Sequence, residues 1–347
     1  MTIRIWVDGK SEKWLNTVVN AVKKLSKKNP DIDFIIYCNS SEVSSILSQN
    51  NRFEIKVSEE DIAMDVKVPL KACFKQKTSS MRLWLDDINS GEIDAFISSW
   101  NTWALVAWAV HSKILWTLVK WVAPALLATI PQENWTETIM LDVGANTRES
   151  VDINMHNLIM GIEYLKQVKG KQKIVIWFMT IWTEPWKWSK IDNDTISTIE
   201  KYFDINEGQD NDDLSLKRIE PDKLLNSECD IILKSWVRWN EILKTAEWVA
   251  KAFKKEIKSI LKLWMIISAL TLKKKLSKYS WDSWAICMWV NWIVIKTHWG
   301  SDENSFIWAG IQTIEYAKEQ KKYDIIWNIQ KALLEYKAWS ETQSKID

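Results

Sequence analysis

Residues 98–105 read S-S-W-N-T-W-A-L and stand between two apolar runs, Asp94–Ile97 and Ala104–Val110. The first run reads as a strand and the second as a helix. A strand passing through a polar turn into a helix N-terminus is where α/β proteins bind anions. Asn101 and Thr102 suit such a turn. Trp100 and Trp103 do not, because backbone N–H groups approach an anion most closely where the chain tolerates φ > 0, which favours glycine.

The same misfit recurs along the chain. It holds 25 Trp and 8 Gly in 347 residues, whereas ordinary glycine usage of ~7% would give roughly 24. Trp6 ends the first strand beside Val7-Asp8-Gly9, Trp236 and Trp239 bracket a polar turn, and Trp299 precedes Gly300-Ser301-Asp302. Turn signals lacking glycine at so many places point to UGA codons written as Trp in an organism that reads them as Gly, the alternative being a genuinely Trp-rich protein. Some bacterial lineages use that code.

Strand-like runs at Ile3–Val7, Phe34–Tyr37, Phe53–Val57, Asp94–Ile97, Ala125–Ile130, Thr138–Val143, Lys173–Phe178, Asp230–Leu233 and Ile293–Lys296 alternate with helical patterns. The helices fall at Lys13–Ser26, Ser79–Asn89, Asn157–Val168, Glu241–Lys262 and Ile307–Gln320. This alternation predicts an α/β fold, a three-layer α/β/α sandwich around a mainly parallel sheet. A single domain is expected over residues 1–338, with a disordered tail at 339–347.

Composition narrows the function. A hydrophobic content of 47% supports a full core, and a net charge of +1 gives no global case for nucleic acid. Cys38, Cys73, Cys229 and Cys287 form no C-x-x-C pair, which fits a reducing cytosol and offers no metal site. The N-terminus reads as a strand without a signal peptide. The apolar run Leu263–Leu272 is far shorter than the ~20 residues that span a bilayer.

Residues 244–280 stand apart as a basic amphipathic helical projection. Ten lysines face two acidic residues, Glu247 and Glu256, between 244 and 278. Val249, Phe253, Ile257, Ile260, Leu261 and Trp264 recur at three- and four-residue spacing. Such a segment lies on an anionic membrane surface, docks an acidic protein, or forms a dimer interface with a solvated lysine face.

Ordered motifs then carry a family resemblance. K-T-S-S-M-R-L at 77–83, I-S-S-W-N-T-W-A-L at 97–105, L-D-V-G-A-N at 141–146 and I-M-G at 159–161 come first. W-T-E at 182–184, W-V-R-W-N-E-I-L-K-T-A-E-W at 236–248 and W-V-N-W-I-V-I-K-T-H-W-G-S-D at 289–302 follow. Together, and in this order, they resemble the bacterial phosphate acyltransferases of phospholipid synthesis over nearly the whole chain. At Trp100, Trp103, Trp182, Trp236, Trp239, Trp248, Trp289 and Trp299 that family has glycine.

The resemblance implies a fold like that of the isocitrate/isopropylmalate dehydrogenase group and transfer of a fatty acyl group from acyl carrier protein to inorganic phosphate. It implies no metal or organic cofactor, a homodimer, and a cytoplasmic protein associated peripherally with the membrane through the projection. Phosphate attack on a thioester needs a held dianion and a stabilised oxyanion. Three turns, at Trp100–Trp103, Gly144–Asn146 and Trp236–Asn240, offer backbone N–H groups, with Asn101, Thr102, Asn146 and Asn240 as side-chain donors or simple caps.

Lys296 and His298 follow the last strand-like run. Lys296 would offset phosphate charge. His298 would protonate the leaving thiolate, orient phosphate, or cap the strand end. With Asn101 they form the expected catalytic set. Ser98, Ser99, Thr102, Asp142, Gly144, Asn146, Glu184, Asn240, Lys244, Ser301 and Asp302 form the expected substrate-binding set. The chain departs from the family pattern after Asp8, where G-K-S-E-K replaces a Gly-Gly-Asp loop, and after Asn146, where T-R-E-S-V-D lacks the usual Lys and Pro. Thr117 and Ala123 stand where the family has arginine. A non-catalytic carrier-protein- or lipid-binding homologue and a short-chain phosphate acyltransferase are the alternatives.

Overall fold

The computed structural model describes residues 2–8, 12–39, 53–59, 71, 75–99, 105, 117–131, 137–146, 148–179, 184–206, 208, 213–219, 229–233, 284–297 and 301–345. The chain divides into two compact units, Met1–Trp116 with Ile267–Lys322 and Thr117–Ile266 with Tyr323–Asp347.

The first unit contains β1 (Ile3–Asp8), β2 (Ile32–Asn39), β3 (Phe53–Ser58), β4 (Ala95–Ser98), β10 (Trp284–Cys287) and β11 (Ile293–Thr297). They lie in the order β3-β2-β1-β4-β11-β10. All neighbours are parallel except the β10/β11 pair. Ile5, Trp6 and Val7 on β1 and Ala95, Phe96 and Ile97 on β4 are fully buried. Continuous apolar runs of this kind belong to strands covered on both faces. Helix α1 (Glu12–Lys28) buries Leu15, Val18, Val19, Val22 and Leu25, one face at helical spacing. Its last turn ends in Lys27 and Lys28, which suit the negative end of the helix dipole. Helix α2 (Ser80–Asn89) follows.

The second unit contains β5 (Leu126–Pro131), β6 (Glu137–Leu141), β7 (Ile174–Met179), β8 (Leu214–Ile219) and β9 (Ile231–Leu233). Their order is β5-β6-β9-β7-β8, parallel apart from β5/β6. Helix α3 (Val151–Gln167) begins six residues before the apolar pattern suggests. The Ser150 hydroxyl accepts the Ile153 N–H at 3.2 Å and so fixes that start. Helix α4 (Lys190–Phe203) is capped in the same way by Ser189, which accepts from Asp192 N at 3.1 Å.

Helix α5 (Glu303–Tyr323) and helix α6 (Ile325–Gln343) are joined through Asp324, which adopts a left-handed φ of 49°. The disorder expected from residue 339 gives way to helix: α6 continues to Gln343. Its apolar positions Ile325, Ile329, Leu333 and Tyr336 are buried, and Trp339 packs on Tyr336 and Tyr202. That buried stripe holds the helix down where polar composition alone suggests fraying. The projection at 244–280 lies outside the described residues.

Helix α3 lies close against the sheet at Gly161. A Cβ there would meet Leu141 Cδ1 at 2.8 Å and Ile139 Cδ1 at 3.2 Å. The absent side chain lets the helix rest on β6. A Gly161→Leu chain is expected to lose about 1–3 kcal/mol of stability through overpacking. Urea unfolding measures this, and an unchanged midpoint would mean that α3 is free to lift from the sheet.

Candidate functional site

Three neighbouring parallel strands of the first unit, β1, β4 and β11, end together at their C-terminal edge. Register pairs Val7 with Ile97 and Lys296 with Ser98. Asp8, Ser98, Ser99, Lys296 and Thr297 therefore gather at one place, and all five are buried. The strand pattern requires this. An apolar run that ends in a polar residue places that residue at the sheet edge, where α/β proteins open their sites.

Lys296 is the strongest group in the cluster. Its ammonium donates to the Ser99 carbonyl at 3.2 Å and to the Thr297 carbonyl. Burial pushes its pKa down to about 8, against the opposing pull of Cys287 and Asp8. The Ser98 hydroxyl reaches Asp8 Oδ2 at 3.5 Å. The Ser99 hydroxyl is buried and has no hydrogen-bond partner among the described residues. A cation with an adjacent unengaged hydroxyl is a setting for an anion.

Ser301 and Asp302 lie in the same unit, just before α5. Asp302 Oδ1 accepts from the Ser305 N–H and the Ser305 hydroxyl, both at 2.8 Å. That is the bonding of an N-cap, so Asp302 starts a helix.

Asp142, Gly144 and Asn146 lie in the second unit, after β6. The Asp142 carboxylate accepts from the backbone N–H groups of Leu126, Gly144, Ala145 and Asn146 at 2.7 to 3.1 Å. Gly144 sits at φ 146°, a conformation that favours glycine and lets the turn wrap round the carboxylate. Burial raises the Asp142 pKa against the pull of those four donors. The nest expected to cradle a ligand thus holds an anion of the chain itself. Asn146 accepts the Arg148 N–H at 3.0 Å.

Beside this turn lies a cavity of about 690 Å³ within the second unit, lined by Trp121, Pro124, Asn146, Arg148, His156 and Lys337 among others. Burial drives the His156 pKa down to about 4, so the ring is neutral at pH 7. Its Nδ1 has no partner among the described residues. Asp152, another lining residue, accepts from the Tyr336 hydroxyl at 3.1 Å.

Glu184, also in the second unit, pairs with Lys187 at 2.8 Å across a short turn. Asn101, Thr102, Asn240, Lys244 and His298 lie outside the described residues. Sequence reading named Lys296 and the serines, and it passed over Arg148, His156, Tyr336 and Lys337. No motif marks those four. Only the packing of α6 against α3 gathers three of them.

The fatty acid synthesis protein family matches residues 9–323. A phosphate acyltransferase of Staphylococcus saprophyticus is 27% identical over 312 residues, covering 88% of this chain and 90% of that protein. One of Pseudothermotoga lettingae is 30% identical over 251 residues, covering 70% and 72%. Among solved structures, a branched-chain phosphotransacylase from Enterococcus faecalis matches with a TM-score of 0.58 at 11% identity, over 91% of this chain and 99% of that one. A phosphotransacetylase from Streptococcus pyogenes matches with a TM-score of 0.54 at 12% identity, over 92% and 94%. At such identity the structures show the fold, an α/β architecture with a mostly parallel sheet. The sequence match takes in β4, β11 and the Asp142 turn, and the chain belongs to the fatty acid synthesis protein family.

Proposed function

We propose that the protein transfers a fatty acyl group from acyl carrier protein to inorganic phosphate, forming an acyl phosphate for phospholipid synthesis. The relatives' names support the reaction class. The observation that carries the reading is the buried Lys296 ammonium beside Ser98 and Ser99 at the strand ends.

A phosphate oxygen attacks the thioester carbonyl carbon. The new C–O bond forms as the C–S bond breaks, and the carrier leaves as a thiolate that takes up a proton. Lys296 offsets the charge of the phosphate, and the Ser99 hydroxyl orients one of its oxygens. His298, two residues beyond Lys296 in the chain, delivers the proton to sulfur. Asn101, three residues beyond Ser98, donates to the developing oxyanion. Phosphate is drawn into such a site because it brings the charge that the buried ammonium lacks.

The carrier is an acidic protein, and the basic segment 244–280 suits both it and an anionic membrane surface. We assign that segment to peripheral membrane docking in the cytoplasm and expect a homodimer. Among the described residues no helix is long and apolar enough to cross a membrane.

The chain decoded with glycine at its UGA positions is expected to form acyl phosphate from a long-chain acyl carrier protein and phosphate. Turnover only with short-chain thioesters, or carrier binding without turnover, would replace this reading by one of its alternatives. Lys296→Met is expected to raise the phosphate KM about ten- to hundredfold, the loss of a charged hydrogen bond, with kcat changed less.

The pH dependence has a definite sign. In the parent enzyme the phosphate KM climbs as pH passes upward through about 8, where Lys296 loses its proton. Lys296→Met abolishes that component of the climb. Stability moves the other way. The lowered folded pKa means that the unfolded chain binds more protons, so this group adds stability as pH rises from about 8 toward its ordinary value of 10.5. A KM profile identical in parent and variant would remove Lys296 from the site.

Membrane docking has its own test. Co-sedimentation with anionic but not neutral vesicles is expected, weakened by salt and by replacement of Lys273, Lys274 and Lys275 with Glu. No binding to either vesicle would make the segment an interface element instead.

A further inference from the structure

We infer that Trp6, Trp177, Trp289 and Trp292 are glycine in the protein that cells make, and that they represent a wider set of recoded positions in this chain. The composition proposes glycine, and the packing of the indoles supports it independently.

An indole is an amphipathic group. When its body is buried, its N–H normally finds an acceptor, because an unmet donor in an apolar core forfeits its hydration. Trp6, Trp177, Trp289 and Trp292 all hold a buried Nε1 with no acceptor among the described residues. Trp6 and Trp289 are fully buried. One such orphan is tolerable in a native core. Four of one residue type indicate side chains that the surrounding sequence was never selected to receive.

The neighbours of Trp6 say the same. On β1 it faces Phe96 on β4 directly across the strand pair. Its ring centroid lies 3.7 Å from that of Tyr37 at an interplanar angle of 71°. Edge-to-face pairs settle at about 4.5–7 Å, so these rings are pressed together. Phe96 is also stacked by Trp84 at 4.2 Å. Four large aromatic rings thus share the space beside one strand of an already dense sheet.

Trp289 and Trp292 stand in the connection between β10 and β11, M-W-V-N-W at 288–292. Tight antiparallel connections are built from glycine, asparagine and aspartate. Here Asn291 is in place, and indoles occupy the positions on either side of Val290-Asn291. Among the described residues, the glycines that remain are used as glycines should be. Gly91, Gly144, Gly170 and Gly208 have positive φ, and Gly161 meets a close strand. The chain therefore needs glycine at such places, and it has too few. A UGA codon read as Trp under one genetic code and as Gly under another exchanges these two residues and no others.

This inference does not rest on the acyltransferase reading, since its test reads mass and not activity. Full-length protein isolated from cells of its source is digested with trypsin. The peptides carrying Trp6 and the Trp289–Trp292 pair are then weighed. Each is expected to be lighter than the written sequence by the tryptophan-to-glycine difference at every recoded position. Peptides at the tryptophan mass would overturn the inference whatever the enzyme does. A second arm needs no native source. In the full chain made with tryptophan, Trp6→Gly and Trp289→Gly are each expected to raise the thermal midpoint, the reverse of an ordinary large-to-small core change. A lowered midpoint in both would establish the indoles as native packing and overturn it equally.

Discussion

A buried ammonium must be held by something, and the edge of the first unit is arranged around that requirement. Removing a charge from water costs several kcal/mol unless hydrogen bonds and opposing charge replace the lost solvent. Lys296 meets this with the carbonyls of Ser99 and Thr297 and the nearby charge of Asp8. Those groups meet only because β4 and β11 are parallel and in register, with Lys296 opposite Ser98. A one-residue slip of β11 would turn Lys296 to the other face of the sheet. The order of the strands, the register and the electrostatics of the edge are therefore one constraint.

The second unit solves the opposite problem at the end of β6. There the buried charge is Asp142, and four backbone N–H groups close on it. A carboxylate so enclosed is unavailable as a base or as a ligand for anything else. Its work is to fold residues 142–146 into one shape and to tie β5 to that turn through Leu126. The Asn146 side chain and the cavity beside it depend on that shape. The residue thus caps the turn that follows it.

Much of the fold was legible because parallel strands announce themselves. Buried on both faces, most read as short apolar runs, and β1, β2, β7 and β11 fall within one or two residues of where the runs place them, while the half-buried β3 shows instead through the alternation F-E-I-K-V. Strand β8 was missed because L-S-L-K-R-I is half polar, with Lys217 and Arg218 adjacent and breaking the alternation, and follows an acidic stretch. Helices α4 and α6 were missed for a related reason. Each buries only a few residues, so the apolar stripe is thin and polar positions dominate the reading. The early start of α3 depends on a single serine cap, a hydrogen bond that hydrophobic periodicity does not register. Lys296 was legible because a lysine ending an apolar run has few places to go. Arg148, His156 and Lys337 were not, because only tertiary packing assembles them.

The tryptophans divide along the same line. Sequence reading objected to them where they broke turns, as at Trp100 and Trp103, and had no objection inside strands, where an aromatic residue is ordinary. Trp177 therefore passed as an ordinary strand residue, whereas Trp6 drew the objection through the Val7-Asp8-Gly9 turn beside it. Three dimensions add a packing objection to both, an N–H without an acceptor among the described residues at each and rings that sit too close at Trp6. A turn has a backbone rule that one residue can visibly break. A strand interior has only a packing rule, which no single residue breaks until its neighbours are in place. Trp289 shows both at once, standing in a tight connection between two strands while its ring is wholly buried. It is the position at which the two independent arguments, one from turn chemistry and one from packing, meet on the same residue.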